Sequence, residues 1–193
     1  MRHLKSLPEV KNRPEVHVIQ GDCNQVLPNQ VFPKVEFKDY RRALCVLDPY
    51  GMHLNWTVTE TAGRMKSIDI LMNFPIMDMN RNALRLRPDR VTAEAEARMT
   101  AFWGDESWKQ VAYKKQQQFF GEDDQIKLGN EEIVGAFAKR LKVVGGFEFV
   151  PKPLPMKNST GSIVYYLFFG SQKRVASDVF KDIVKKYTNT GAI

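Results

Sequence analysis

The sequence predicts an α/β fold with a mostly parallel sheet. Short apolar runs of strand length alternate with longer amphipathic stretches of helix length. Residues 43–47 are apolar at every position, which is typical of a strand buried on both faces between layers of helices. The predicted order is strand, strand, helix, strand, helices, strand hairpin and helix. This order favours one α/β domain spanning residues 1–193.

The predicted strands are runs rich in β-branched and aromatic residues. They are residues 16–19, 43–47, 67–74, 147–150 and 163–169. The last two strands are expected to pair as an antiparallel hairpin, because residues 158–161 supply turn-forming side chains.

The predicted helices follow from apolar periodicity and capping signals. They are residues 56–65, 92–119, 130–143 and 175–187. The last is strongly amphipathic, with Val175, Val179, Ile183 and Val184 on its apolar side. Residues 76–92 are interpreted as an arginine-rich loop.

Composition limits the classes of protein to which this chain can belong. The chain has 193 residues, 43% of them hydrophobic and 26% charged, and it has no apolar run near the roughly 20 residues of a membrane helix. The net charge of +7 permits a nucleic-acid partner without requiring one. The sequence has two cysteines and three histidines, none at metal-ligand spacing. We therefore expect a cytoplasmic protein with reduced thiols, no membrane partner and no metal.

Three loops follow predicted strands and carry polar residues. They begin at Gly21-Asp22, at Asp48-Pro49 and after Phe74. The carboxyl ends of parallel strands lie at one edge of a sheet, where ligands bind in open α/β folds. We therefore expect these loops to share one pocket.

The segment Asp48-Pro49-Tyr50-Gly51 suits the recognition of an amine. The Asp48 carboxylate and the Pro49 carbonyl can both accept hydrogen bonds from one amino group and so orient its lone pair. The Tyr50 ring can stack on a flat base, and Gly51 allows close approach. The alternative is an ordinary turn after a strand, where Asp, Pro and Gly are common.

Other residues are candidates for the site on weaker sequence evidence. Asp22 can accept from an adenine amino group beside Cys23, or it can simply cap the following turn. His53 is a candidate general base, although a lone loop histidine is usually a surface residue. Asn80 and Arg81 are candidates for contacts with substrate or phosphate, and a solvated loop is the alternative.

Several segments together resemble the three-Cys-motif partner (TcmP) family, which is similar to class I S-adenosylmethionine-dependent methyltransferases. The resemblance covers most of the chain from about residue 14. The matching segments are VHVIQGDCN (16–24), VLDPYGM (46–52), IDILMNFP (68–75) with Asn80-Arg81, FWG (102–104), LPMKNSTG (154–161) and YYLFFGS (165–171).

The resemblance implies a Rossmann-like sheet with a C-terminal antiparallel hairpin and S-adenosylmethionine as cofactor. It implies that Asp22, Cys23 and Asp48 lie on the cofactor side. Asp48, Pro49 and Tyr50 correspond to the motif that orients a substrate amine, here one proline short. A protein carrying a three-cysteine motif is the implied partner.

The chain departs from the family at its beginning. The first two strands of such methyltransferases, with the glycine-rich loop between them, have no counterpart in this sequence. Three expectations follow: a longer protein of which this is the C-terminal portion, completion of the sheet by a second subunit, or a shift of residues 16–20 to lie beside 43–47. Weak or absent cofactor binding is expected for this chain alone.

Two functional hypotheses result. The first is an S-adenosylmethionine-dependent methyl transfer to an amine or similar nucleophile. The second is a non-catalytic, methyltransferase-like module that binds a protein partner or a nucleic acid.

Overall fold

A computed structural model describes residues 16–116 and 124–189. Seven α-helices lie within this part of the chain. They are α1 (Cys23–Val26), α2 (Trp56–Met65), α3 (Ile76–Asn82), α4 (Ala93–Trp103), α5 (Ser107–Ala112), α6 (Asn130–Val143) and α7 (Arg174–Asn189). Six strands are β1 (Ala43–Leu47), β2 (Ile68–Phe74), β3 (Tyr113–Gln116), β4 (Asp124–Lys127), β5 (Leu154–Lys157) and β6 (Ile163–Gly170). The chain is therefore an α/β protein, as the sequence predicted.

The main sheet is mixed and not mostly parallel. Its order is β1-β2-β6-β5, and β3 pairs with β4 in a separate two-stranded sheet. β1 runs parallel to β2, whereas β6 is antiparallel to both β2 and β5. The β5–β6 turn explains the last pairing, because a tight hairpin can join only antiparallel strands. In that turn Asn158 Oδ1 accepts from the backbone N–H groups of Thr160 and Ser162 at 3.1 and 2.9 Å.

Two predicted strands are wrong. Residues 16–20 form no strand, and the side chains of Val16 and Ile19 are exposed. β-branched residues favour a strand only where a neighbouring strand pairs with them, and none does here among the described residues. Residues 147–150 contribute a single bridge, from Phe149 to Ser171. The hairpin exists, but its first strand is β5.

Two other boundaries differ from the sequence prediction. The predicted arginine loop begins with α3, which starts after Pro75 and has Asp78 in its first turn. The predicted helix over 92–119 divides into α4 and α5 and then becomes β3. Gly104 causes the first break, because it adopts φ +104° and its N–H donates to Thr100 O at 2.7 Å. Residues 117–119 lie outside the described part.

The core lies on one face of the sheet and is centred on Phe137 of α6. The residues of β2 alternate in burial, and Ile68, Ile70, Met72 and Phe74 all point to this face. The Phe137 ring lies 4.7 Å from Phe74 and 5.3 Å from Phe168, between centroids. Rings from α2 and α4 complete the cluster: Trp56, Phe102 and Trp103 lie 5.3–5.9 Å from Phe137.

The opposite face of the sheet carries only α7 among the described helices. Phe180 of α7 stacks on Phe169 of β6 with 4.9 Å between centroids. The outward side chains of β1 are not covered: Leu44 is 57% exposed and Val46 64%. The prediction that β1 is buried on both faces is therefore wrong, because a helix layer covers one face of this strand and not the other.

None of the helices in residues 16–116 and 124–189 is both long and apolar enough to cross a lipid bilayer.

Replacing Phe137 with alanine should strongly destabilise the fold. The ring is 1% exposed and contacts aromatic rings from the sheet and two helices, so its removal leaves a large cavity. We expect a loss of about 3–5 kcal/mol in the free energy of unfolding, measured by urea denaturation. Val143→Ala on the same helix is the control, because that side chain is 73% exposed and should change stability little. Equal losses for both variants would contradict a core centred on Phe137.

Candidate functional site

The loops after β1 and β2 meet at one edge of the sheet. Because the two strands are parallel and in register from Ala43–Ile68 to Leu47–Met72, their carboxyl ends lie side by side. Gly51, in the loop after β1, adopts φ +55°, and a Cβ built there would lie 2.6 Å from Asp78 Oδ2 of α3. The loop backbone therefore lies against the Asp78 side chain of α3, and a side chain at position 51 would need both a strained backbone and a shift of that carboxylate.

A cleft of about 290 Å³ opens where these loops meet. We call it the Tyr50 cleft. Its polar and aromatic lining comes from Tyr50, His53, Asn73, Asp78, Arg81, Arg98 and Tyr165. Pro49 and Gly51 also line it, so the segment singled out from sequence forms one wall.

Asp48 lies next to the cleft and is held from the neighbouring strand. Asn73 Nδ2 donates to Asp48 Oδ1 at 2.8 Å. Asp48 remains exposed, so its other lone pairs are open to a ligand. Asn73 Oδ1 is buried and has no hydrogen-bond partner in the described part of the chain. A buried acceptor without a partner is unusual, and this one belongs to a residue that lines the cleft.

Tyr50 presents an open aromatic surface. The side chain is 90% exposed, and its ring stacks on His53 with 6.3 Å between centroids and 28° between planes. An exposed tyrosine beside a cleft provides a face on which a planar ligand can stack.

Arg98 of α4 brings positive charge to the cleft, and the sequence did not indicate it. Its Nη1 lies 3.3 Å from His53 Nε2, and its Nε is buried without a partner among the described residues. Arg98 is 45 residues from His53 in sequence and lies in an ordinary amphipathic helix, so no local pattern distinguishes it. Only the packing of α4 brings it into the cleft.

The Gly21–Asn24 segment lies beside the same loop. Asn24 Nδ2 donates to His53 O at 3.0 Å, and Asn24 Oδ1 accepts from the N–H of Asn55 at 2.7 Å. Asp22 itself is the N-cap of α1, where its Oδ1 accepts from the N–H of Asn24 at 2.9 Å. The predicted loop at Gly21-Asp22 therefore contacts the loop after β1, with Asp22 in the capping role that the sequence left open.

Asp22 and Cys23 are the residues expected to contact S-adenosylmethionine. Asp22 Oδ1 accepts from its own turn, but the side chain is exposed, so its other oxygen is open to a ligand. Residues 16–20, expected to form the strand before this turn, form no strand. A Cβ at Gly21 would lie 2.6 Å from Val26 Cγ2, so this glycine makes room for a side chain of α1. Cofactor contact at Asp22 and Cys23 therefore stays a prediction.

The two cysteines differ in their surroundings. Cys23 is exposed, whereas Cys45 is partly buried against the core. Burial, with a smaller contribution from Cys23, raises the pKa of the Cys45 thiol to about 11.

The structure places the other candidate residues of the predicted arginine-rich loop, residues 76–92, in different surroundings. Arg81 lines the cleft. The Asn80 side chain instead donates from Nδ2 to Asn130 Oδ1 at 3.0 Å, which joins α3 to the beginning of α6. Arg85, Arg87 and Arg90 are exposed.

No group of three or more metal-ligating side chains occurs within residues 16–116 and 124–189.

Comparison of the chain with protein-family models, curated proteins and solved structures found no match.

The two thiols should react with iodoacetamide at very different rates. At pH 8 a thiol with a pKa of about 11 is ionised in only about one molecule in a thousand, and the thiolate is the reactive form. Mass spectrometry after brief treatment of the native protein should therefore find Cys23 modified and Cys45 intact. In a Cys23→Ser variant, reaction should become slow and should accelerate as the pH rises toward 11. Fast modification of Cys45 at pH 8 would contradict its burial.

Proposed function

We propose that the chain is a methyltransferase-like domain of the three-Cys-motif partner type whose Tyr50 cleft binds the amine acceptor of a methyl transfer. One observation supports this proposal above the others. Asp48, held by Asn73 at 2.8 Å, lies beside an aromatic ring that is 90% exposed. A fixed anionic acceptor next to an open ring is the arrangement that a flat, amine-bearing group requires.

The roles of the chain's own residues follow from that arrangement. The Asp48 carboxylate and the Pro49 carbonyl would each accept one N–H of the amine, which orients the nitrogen lone pair. Tyr50 would stack on the ring that bears the amine. Catalysis by such a site is mainly positioning of the nucleophile. S-adenosylmethionine would supply an electrophilic methyl group, and the resemblance assigns Asp22 and Cys23 to the cofactor side.

The second candidate is a non-catalytic module that binds a protein partner or a nucleic acid. One observation favours it specifically: Asp22, the residue expected to contact the cofactor, caps α1. Arg81 and Arg98 could then meet an anionic group of the partner in the same cleft.

Adenosine and inosine make a matched pair of probes for the cleft, because they differ in having an exocyclic amine or a carbonyl at the same position. Calorimetry should show tighter binding of adenosine than of inosine. Tyr50→Ala should weaken adenosine binding about 5- to 150-fold, since stacking on an aromatic ring contributes about 1–3 kcal/mol per base. Asp48→Asn should remove the preference for adenosine. Tyr40→Ala is the control, because Tyr40 is 92% exposed and lines none of the cleft.

Equal binding of the two nucleosides, or equal effects of Tyr50→Ala and Tyr40→Ala, would contradict amine recognition. Titration with S-adenosylmethionine and S-adenosylhomocysteine then separates the two candidates. Binding of either, with transfer of labelled methyl to an amine, supports the enzyme. Amine binding without any binding of these two compounds supports the module.

A further inference from the structure

Arg98 of α4 is a half-buried cation that has no acidic partner within residues 16–116 and 124–189. Its Nε is buried without a hydrogen-bond partner among those residues. The ion pairs of the described part of the chain all join other side chains, so no carboxylate neutralises this guanidinium. Burying a charge costs free energy unless an opposite charge or hydrogen bonds compensate for it. An unpaired arginine that lines a cleft therefore favours an anion from another molecule as its partner.

One edge of the Arg98 guanidinium is free to bind such an anion. Nη1 lies 3.3 Å from His53 Nε2, and because arginine carries only donors, His53 Nε2 is the acceptor. Nε and Nη2 have no hydrogen-bond partner in the described part of the chain. These two donors lie in one plane and match two oxygens of a single phosphate group. Arg98 therefore presents the donors that a phosphate site requires.

The other charges of the Tyr50 cleft also favour an anion. Arg81 of α3 lines the cleft as well, is exposed, and forms no ion pair with the described residues. Asp78 is the acid of the lining, and its Oδ1 accepts from Asn82 Nδ2 at 2.8 Å. Two arginines against one aspartate leave the lining with a net positive charge, which attracts an anion.

We propose that the amine-bearing ligand of the Tyr50 cleft is a nucleotide, with its base on the Tyr50 ring and its phosphate on the free edge of Arg98. Arg81 adds positive charge beside that phosphate. The assignment of the base rests on the function proposed above, whereas the assignment of the phosphate depends only on the two arginines. The phosphate belongs either to a free nucleotide or to a strand of nucleic acid, and both offer the same oxygens.

The contacts along the cleft have the order of the parts of a nucleotide. The Tyr50 ring contacts the His53 ring at 6.3 Å between centroids, and His53 in turn contacts Arg98. One imidazole ring therefore separates the stacking surface from the cation, as one sugar separates base from phosphate. Asp48, next to Tyr50 in the chain, accepts hydrogen bonds, whereas Arg98 donates them. Adenine and cytosine nucleotides carry the complementary groups, an amine on the base and an anion on the sugar.

Calorimetry with adenosine and adenosine 5′-monophosphate tests the proposal on the full chain. The monophosphate should bind about 10- to 150-fold more tightly, the range expected for hydrogen bonds between charged groups. This advantage should shrink as salt is added, whereas the affinity for uncharged adenosine should change little. Arg98→Gln should remove the advantage, and Arg98→Lys should restore only part of it, because lysine keeps the charge without the paired donors.

Arg87→Gln is the matched control, because Arg87 is an exposed arginine that lines none of the cleft. It should keep the full preference for the monophosphate, and circular dichroism should show all variants folded. A trinucleotide of adenylates without a terminal phosphate identifies the source of the phosphate. Tighter binding of the trinucleotide than of the monophosphate indicates a nucleic-acid strand, and weaker binding indicates a free nucleotide.

Ribose 5-phosphate separates this inference from the proposed function, because it carries the phosphate without the base. Adenosine binding with no gain from a phosphate would overturn the inference and leave amine recognition standing. Binding of ribose 5-phosphate without any binding of adenosine would overturn both the nucleotide and the amine site, and would leave a site for the phosphate alone. A preference for the monophosphate that Arg98→Gln retains, or that Arg87→Gln removes equally, would also overturn the inference.

Discussion

The parallel pairing of β1 with β2 determines where both the core and the cleft lie. In this register Ala43 is opposite Ile68 and Leu47 is opposite Met72. A slip of one residue would turn the buried side chains of β2 to the opposite face and would expose them. The same register places Asp48 beside Asn73 at the carboxyl edge, where the two side chains form a hydrogen bond. The packing around Phe137 and the position of the proposed amine-binding residues therefore depend on one set of backbone hydrogen bonds.

The two faces of the sheet are covered unequally. One face packs against α2, α4 and α6 through a continuous cluster of aromatic rings. The other face carries α7, which covers β6 through Phe180 and leaves β1 open. The first face is fully covered by the core, whereas the second still exposes apolar side chains of β1 to solvent. The proposed amine site lies at the edge where the two faces meet.

Local patterns in the sequence predicted the strands and helices that pack against other elements with a clear apolar pattern of their own. The strand β1, the strand β2, the helices α2, α6 and α7, and the second strand of the final hairpin were all expected near their observed positions. The predicted strands at 16–19 and 147–150 were wrong for one common reason. β-branched and aromatic residues raise strand propensity, but a strand also needs a neighbour with free hydrogen-bonding groups, and that depends on the rest of the fold.

The residues of the candidate site also fall into two groups, those that the sequence could predict and those that it could not. The positions of Asp48, Pro49 and Tyr50 after a strand could be predicted from the sequence, because strand ends and turn residues are local signals. Arg98 and Asn73 could not, because a helix arginine and a strand asparagine have no distinctive neighbours. The role of Asp22 as the cap of α1, one of two interpretations left open, required coordinates.

The amino-acid order alone determined that this chain forms an α/β fold and that an Asp-Pro-Tyr-Gly loop follows a strand, since hydrophobic periodicity and turn chemistry act over a few residues. The tertiary structure alone decided that the sheet is mixed, that Arg98 and His53 meet across the Tyr50 cleft, and that β1 has one open face. Each of these depends on contacts between segments that are far apart in the chain, and the free energy of such contacts is set by packing and not by local preference.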